Sequence, residues 1–269
     1  MTALAIHAPA VYRAGWFTQT GQVLRRWLIS TFRQVWGPVM SLLRAGDLDR
    51  AVRPGLPVAR GAAAVRGSGY IAYLVPGILM MTVLYSGAWA GTGYIDDIGS
   101  GVMDQYLSSP IRRSAIITGQ LVGKLIINLA QSLIVLGIGA LAGARYPGGI
   151  GGMLLALAVA TVLATIFCCC STAVALISRS QIALISLSQM IVLPATFLST
   201  TMMPAALMPS WVQAVSRWNP MTWAVELGRG GLSGSLPDGA WWQAGGLVLL
   251  AALAFWWAVR ALRSYQRSI

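Results

Sequence analysis

Residues 152–178 contain no charged side chain. As a helix rising about 1.5 Å per residue, this run is long enough to cross the roughly 30 Å hydrocarbon core of a bilayer. Four more windows share its character: Tyr70–Gly91, Ser114–Gly143, Gln181–Met203 and Trp241–Leu262. In lipid every backbone N–H and C=O must find an internal partner, so a single segment of this kind has to be helical. Composition enters as a check. Apolar residues make up 57% of the chain and charged residues 10%, against about 45–50% and about 25% in soluble domains. That excludes a soluble enzyme, a disordered chain, collagen and a disulfide scaffold. The fold class is an all-α polytopic membrane protein. Its last window places Trp241 and Trp242 at one end and Trp256 and Trp257 at the other, a spacing of about 22 Å that suits two interfacial aromatic belts.

The first third of the chain is less uniform. Residues 9–26 mix Tyr12, Trp16, Phe17, Val23 and Leu24 with Arg13, Arg25 and Arg26, the pattern of an amphipathic helix lying at the interface. Residues 27–43 are a weak sixth spanning candidate, short and interrupted by Arg33. Residues 44–69 form a polar, arginine-rich loop with Pro54 and Pro57 as breakers. Two topologies follow. With six spans both termini face the cytoplasm, and the arginines divide almost evenly. With five spans the bias toward the inside is stronger, so charge alone favours five.

The net charge of +12 raises nucleic acid as a partner. In a chain this apolar, basic loops set membrane orientation instead, and no nucleic-acid partner is expected. Cys168, Cys169 and Cys170 are adjacent within an apolar run. They cannot supply the spaced ligands of a zinc site and read as embedded thiols. No metal site and no catalytic residue is expected. His7 is the only histidine, and it lies in the N-terminal stretch. That stretch lacks the basic start and apolar core of a signal peptide.

Between the first two clear windows, residues 96–113 read DDIGSGVMDQYLSSPIRR. Residues 102–107 suit a short helix, and Pro110 disfavours helix just before it while opening the next one. Gly101, Val102, Met103, Asp104, Leu107, Pro110, Ile111 and Arg112 follow the order of the cytoplasmic loop in permease subunits of type-2 ABC exporters. The chain resembles this ABC-2 family, most closely the daunorubicin and multidrug resistance permeases. A second likeness is residues 207–229, where Pro209, Trp211, Asn219, Pro220, Met221, Thr222, Glu226 and Arg229 resemble the family's extracellular re-entrant element. Residues 70–91 look like its second helix. The resemblance covers most of residues 70–262.

This resemblance implies six transmembrane helices, the first at 27–43, then 70–91, 114–143, 152–178, 181–203 and 241–262. It implies a re-entrant extracellular element at 204–240 and both termini in the cytoplasm of a bacterial plasma membrane. It also implies a second permease subunit, in a homo- or heterodimer, and two ABC ATPase subunits that carry ATP and Mg. The 96–113 loop would be the coupling helix that docks into the ATPase, with Asp104 as its acidic contact. Residues 44–67 depart from the family, either as a divergent loop or as the trace of a compensated frameshift. The chain binds no cofactor of its own. Gly119, Gly123 and Lys124 imitate a phosphate-binding loop but have the wrong spacing and no following hydroxyl.

Polar residues within apolar windows are the remaining candidates. Gln120, Lys124, Asn128 and Gln131 share one helix face. They either line a substrate path or dimer contact, or glue helices within one subunit, which is the commoner use. Gln189, Thr196 and Thr200 share a face of the next-to-last helix, near Pro194, and either line the path or pack. Glu226 and Arg229, three apart, suit a structural pair at an exposed edge.

Among functions, an exporter subunit for a hydrophobic drug-like or lipid-like cargo leads. A subunit exporting a cell-envelope lipid or glycan, and a non-transporting scaffold or immunity protein, are the alternatives. A membrane enzyme lacks its paired acids or nucleophile. An ion-driven carrier lacks repeats and intramembrane carboxylates.

Overall fold

The computed structural model describes residues 68–101, 113–141, 143–201 and 208–267. The interfacial helix at 9–26, the span at 27–43 and the loop at 44–67 lie outside the described residues. Eight helices occupy the rest: α1 (Ser68–Ala88), α2 (Thr92–Gly99), α3 (Arg113–Leu141), α4 (Gly149–Ser178), α5 (Gln181–Phe197), α6 (Ser210–Ser216), α7 (Pro220–Ser233) and α8 (Ala240–Arg267). Among the described residues there is no strand.

Among the described residues, four helical stretches are long and apolar enough to cross a membrane: Ala72–Gly99, Thr118–Leu141, Gly149–Ser178 and Ala240–Ser264. The window at 181–203 differs from its expected length. Its helix stops at Phe197 after 17 residues, about 25 Å at the usual rise. The chain then turns through Leu198, Ser199, Thr200 and Thr201, and the hydroxyl of Ser199 donates back to the Thr196 carbonyl at 2.7 Å.

α4 is the axis of the bundle. It packs against α1, α2, α3, α5, α7 and α8, and Leu163, Ala164, Ala173 and Ala175 on it are fully enclosed. Its contact with α7 is made by backbone: a methyl group added at Gly152 would collide with the carbonyl of Gly231. Small residues permit that approach, and dispersion over the close surfaces holds membrane helices together.

The break between α1 and α2 has a visible cause. The Ser171 hydroxyl on α4 donates to the Ala88 carbonyl at 2.6 Å and accepts from the Gly91 N–H at 2.9 Å. A second hydroxyl, on Ser188 of α5, donates to the same carbonyl at 3.0 Å. Backbone groups freed by the interruption are thus satisfied inside the protein, as the membrane interior requires. The run expected to end at Gly91 therefore resumes as α2, and Asp96 and Asp97 sit on a helix rather than in a loop.

The outer faces are apolar. Ile134, Ile138 and Leu141 on α3, Ile182, Met190 and Phe197 on α5, and Val248 and Leu253 on α8 are all exposed, as lipid-facing residues are. Trp241, Trp242, Trp256 and Trp257 are exposed too, in the two bands expected for interfacial aromatics.

Candidate functional site

Two ends of the bundle carry polar structure. One, the α2 end, gathers α2, the start of α3, the α4–α5 turn and the end of α8. Here Gln181 donates to Asp96 at 2.6 Å and Gln120 donates to Asp97 at 2.9 Å. α2 is thereby tied to the first residue of α5 and to a residue two turns into α3. The α4–α5 turn is set locally: Arg179 adopts a left-handed φ of 52° that ends α4, and the Ser180 side chain caps α5 by accepting from Ala183 N. Gly101, which closes α2, has φ +71°, and its N–H donates to the Ile98 carbonyl at 3.1 Å. Met103, Asp104, Leu107, Pro110 and Arg112 lie outside the described residues.

The α3 stripe turns inward, toward α1 and α4. Gln120 and Asn128 are buried. Both amide atoms of Asn128 and the carbonyl oxygen of Gln131 have no hydrogen-bond partner. Lys124 borders a cavity of about 10 Å³, beside Tyr94, Cys168 and Cys169, a volume on the scale of one water molecule. The cysteines are free thiols.

The other end, the α7 end, is more elaborate. Asn219 caps α7, its side-chain oxygen accepting from Met221 N at 2.9 Å, with Pro220 in the first turn. That placement is favoured because Pro lacks the N–H that the first turn cannot use. The same side chain donates to the carbonyls of Ala195 at 2.7 Å and Leu198 at 3.2 Å, fastening α7 to the end of α5. Left-handed Gly234 ends α7.

Glu226 and Arg229 do not sit at an exposed edge. α7 is enclosed by α4, α8, α1 and α5, and each charged group has a partner elsewhere. Arg229 lies over the Tyr73 ring, 3.6 Å from its centroid, and donates to the carbonyls of Tyr73 and Thr200, each at 3.2 Å. Glu226 accepts from Gln243 at 2.9 Å. Thr200, expected on one helical face with Gln189 and Thr196, instead lies beyond the end of α5, where the last turn cannot extend. Thr196 is buried, its hydroxyl bonded to the Val192 carbonyl at 2.8 Å, and Gln189 is half-buried.

Between α6, α7 and α8 opens a cavity of about 470 Å³, walled by Trp218, Trp223 and Trp242 with Glu226, Gln243 and Thr200 among its polar groups. The Trp223 and Trp242 rings meet edge to face at 5.1 Å and 78°, a favoured aromatic geometry. The Trp223 N–H donates to the Arg217 carbonyl at 2.7 Å. Trp211 stays exposed on α6. Tyr73, Gln243, Trp223 and Trp242 were not among the sequence candidates. A glutamine beside two tryptophans at the head of an apolar helix was the available signal for Gln243 and Trp242.

These features define a polytopic helical membrane protein with a short helical pair inserted before its last span. The family of ABC-2 type transporters matches residues 20–232, and the chain belongs to that family. It is similar to the daunorubicin resistance ABC transporter permease protein DrrB1 of Streptomyces coeruleorubidus, 25% identical over 192 residues, covering 71% of this chain and 67% of the relative. It is also similar to a Cyanophora paradoxa protein named as a transport permease, ycf38, 25% identical over 160 residues, covering 59% of this chain and 55% of that one. The chain thus spans about two thirds of one relative's length and just over half of the other's. It is a multi-pass permease subunit of an ABC transporter, and its family pairs such subunits with an ABC ATPase.

Proposed function

We propose that this chain is the membrane half of an ATP-driven exporter of a hydrophobic drug-like or lipid-like cargo, working as a dimer with two ATPase subunits. ATP and Mg bind on those partners. The observation that carries this reading is the tethering of α2. The loop at 102–112 follows directly on α2, whose two carboxylates bond to the first residues of α5 and the first turns of α3. A push on that loop is delivered at once to α3, a spanning helix, and to the shorter α5. Nucleotide drives transport only if it favours one of two packed arrangements, and a shared tether is a means of coupling them.

Among the described residues the arginines favour the α2 end, whereas over the whole chain, with six spans, they divide almost evenly between the two sides, so charge does not set the orientation. Arg113, Arg179, Arg260, Arg263 and Arg267 belong to that end, and Arg145, Arg217 and Arg229 to the other. The exposed apolar faces of α5 suit contact with lipid or with a second permease.

Sidedness tests this first. With the native cysteines replaced by serine and Ser108→Cys introduced, an impermeant thiol reagent should label inside-out vesicles and spare intact cells. Labelling in intact cells would end the exporter reading, because no cytoplasmic ATPase reaches an external loop. The second step is ATP-dependent accumulation of a fluorescent hydrophobic dye in inside-out vesicles holding this chain and its ATPase.

A further inference from the structure

We propose that the groove between α5 and α8 holds one anionic phospholipid as a resident of the protein rather than as cargo, with an acyl chain in the groove and the phosphate on Arg260 and Arg263. α5 and α8 both lie against α4. The space left between them is a cavity of about 230 Å³, walled by Ile166, Phe167, Val174, Leu187, Ile191 and Trp257. That is below the roughly 300–1,000 Å³ of sites for drug-sized molecules. Leu187, Ile191 and Trp257 are exposed, so the groove opens sideways, where the bilayer supplies acyl chains.

The floor of the groove excludes a polar occupant. Ala88, Ser171 and Ser188 form it, and both hydroxyls already donate to the Ala88 carbonyl. A water molecule needs two to four polar partners and finds too few here. An acyl chain needs none. Lying over that carbonyl, it keeps water from the bonds that hold the break between α1 and α2.

Charge selects the headgroup. Along the exposed face of α8, Leu249 and Leu253 give way to Trp256, Arg260 and Arg263 at helical spacing. Arg260 also lies one turn beyond Trp257, at the rim of the groove. Its guanidinium stands over the Trp256 ring, 5.2 Å from the centroid. Stacking uses the flat face of the group, while its N–H donors lie in the plane and form a fork that matches phosphate. The described carboxylates of this end, Asp96 and Asp97, are on α2 and accept from Gln181 and Gln120. A second copy of the chain, seated on the apolar face of α5, is the competing occupant.

The experiment uses the full chain in phosphatidylcholine nanodiscs, without ATP or ATPase, so its outcome is independent of the exporter reading. The probe is phosphatidylglycerol carrying a diazirine midway along one chain, compared with a phosphatidylcholine bearing the same chain. After illumination, mass spectrometry maps the cross-linked peptides. The glycerol lipid should mark residues 166–174 and 187–192 saturably, at least about fivefold more than the choline lipid, as two interfacial arginines imply. Arg260→Ala combined with Arg263→Ala should bring its yield down to that of the choline lipid. Ile191→Trp, which fills the groove from an exposed position, should lower both yields and serves if the arginine variant does not fold. Equal yields from the two lipids overturn the proposal. So do cross-links spread evenly over α3, α5 and α8, or a folded double-arginine variant that keeps the preference. A disulfide joining two Ile191→Cys chains, with the native cysteines replaced by serine, would seat a second copy in the groove and overturn it too.

Discussion

The two ends of the bundle use the same chemical pair, a carboxylate accepting from a glutamine amide, in opposite settings. At the α2 end the Asp96–Gln181 bond is exposed, and water competes for both groups. At the α7 end the Glu226–Gln243 bond is part-buried, beside an arginine laid on an aromatic ring and helices that touch through glycine. One end is held by backbone contact that has a single arrangement. The other is held by one exposed tie that exchanges with solvent at little cost, Asp96–Gln181, and one part-buried tie, Asp97–Gln120. Under the proposed coupling, this division places the more exposed tie next to the loop at 102–112.

The most severe way to break the contrast is at the α4–α7 contact. Gly152→Ala should lower stability by about 1–3 kcal/mol, because the added methyl meets a carbonyl that cannot turn aside. Gly137→Ala, where a methyl meets nothing within 4 Å, should leave stability unchanged within about 0.5 kcal/mol. Thermal unfolding in detergent compares the two. Equal effects would mean that the glycine contact contributes nothing special.

Arg229 comes next. Arg229→Leu removes a cation from an aromatic face and two charge-assisted donors, at an expected cost of about 2 kcal/mol. Arg229→Lys should recover only part, since an ammonium lacks the planar fork that serves ring and carbonyls together. Full rescue by lysine would reduce the site to simple charge.

Asn219→Ala should cost about 1–2 kcal/mol through the lost cap and two lost donors, again read from the unfolding midpoint. A proteolysis assay that showed α5 loosening from α7 would sharpen the link between them.

The smallest stability effect is expected at the α2 end. Asp96→Asn should change stability by less than about 1 kcal/mol, yet lower ATP-driven dye transport by more than half. If transport is untouched, the tether is ornamental and the contrast between the ends loses its functional meaning.

Much of this molecule was legible in the chain. The uncharged stretch at 152–178 became α4, and the windows before and after it became α1, α3 and α8. These readings rest on local physics: apolar length, caps and breakers act within a few residues of themselves. The short reach of α5 was less visible, because Ser199, Thr200 and Thr201 look permissible in a membrane helix until the Ser199 hydroxyl bonds back to the Thr196 carbonyl. The pairing of Glu226 with Arg229 was drawn from spacing alone, and spacing does not know that Tyr73 and Gln243 arrive from other helices.

The sequence by itself determined that this chain is a bundle of membrane-crossing helices, since lipid leaves an apolar segment no other way to satisfy its backbone. Only the tertiary structure decided which faces meet. A helix as uniformly apolar as α4 has no polar side to orient it. Its neighbours are selected by where glycine lets two backbones approach and where one hydroxyl, on Ser171, reaches a broken turn eighty residues earlier in the chain.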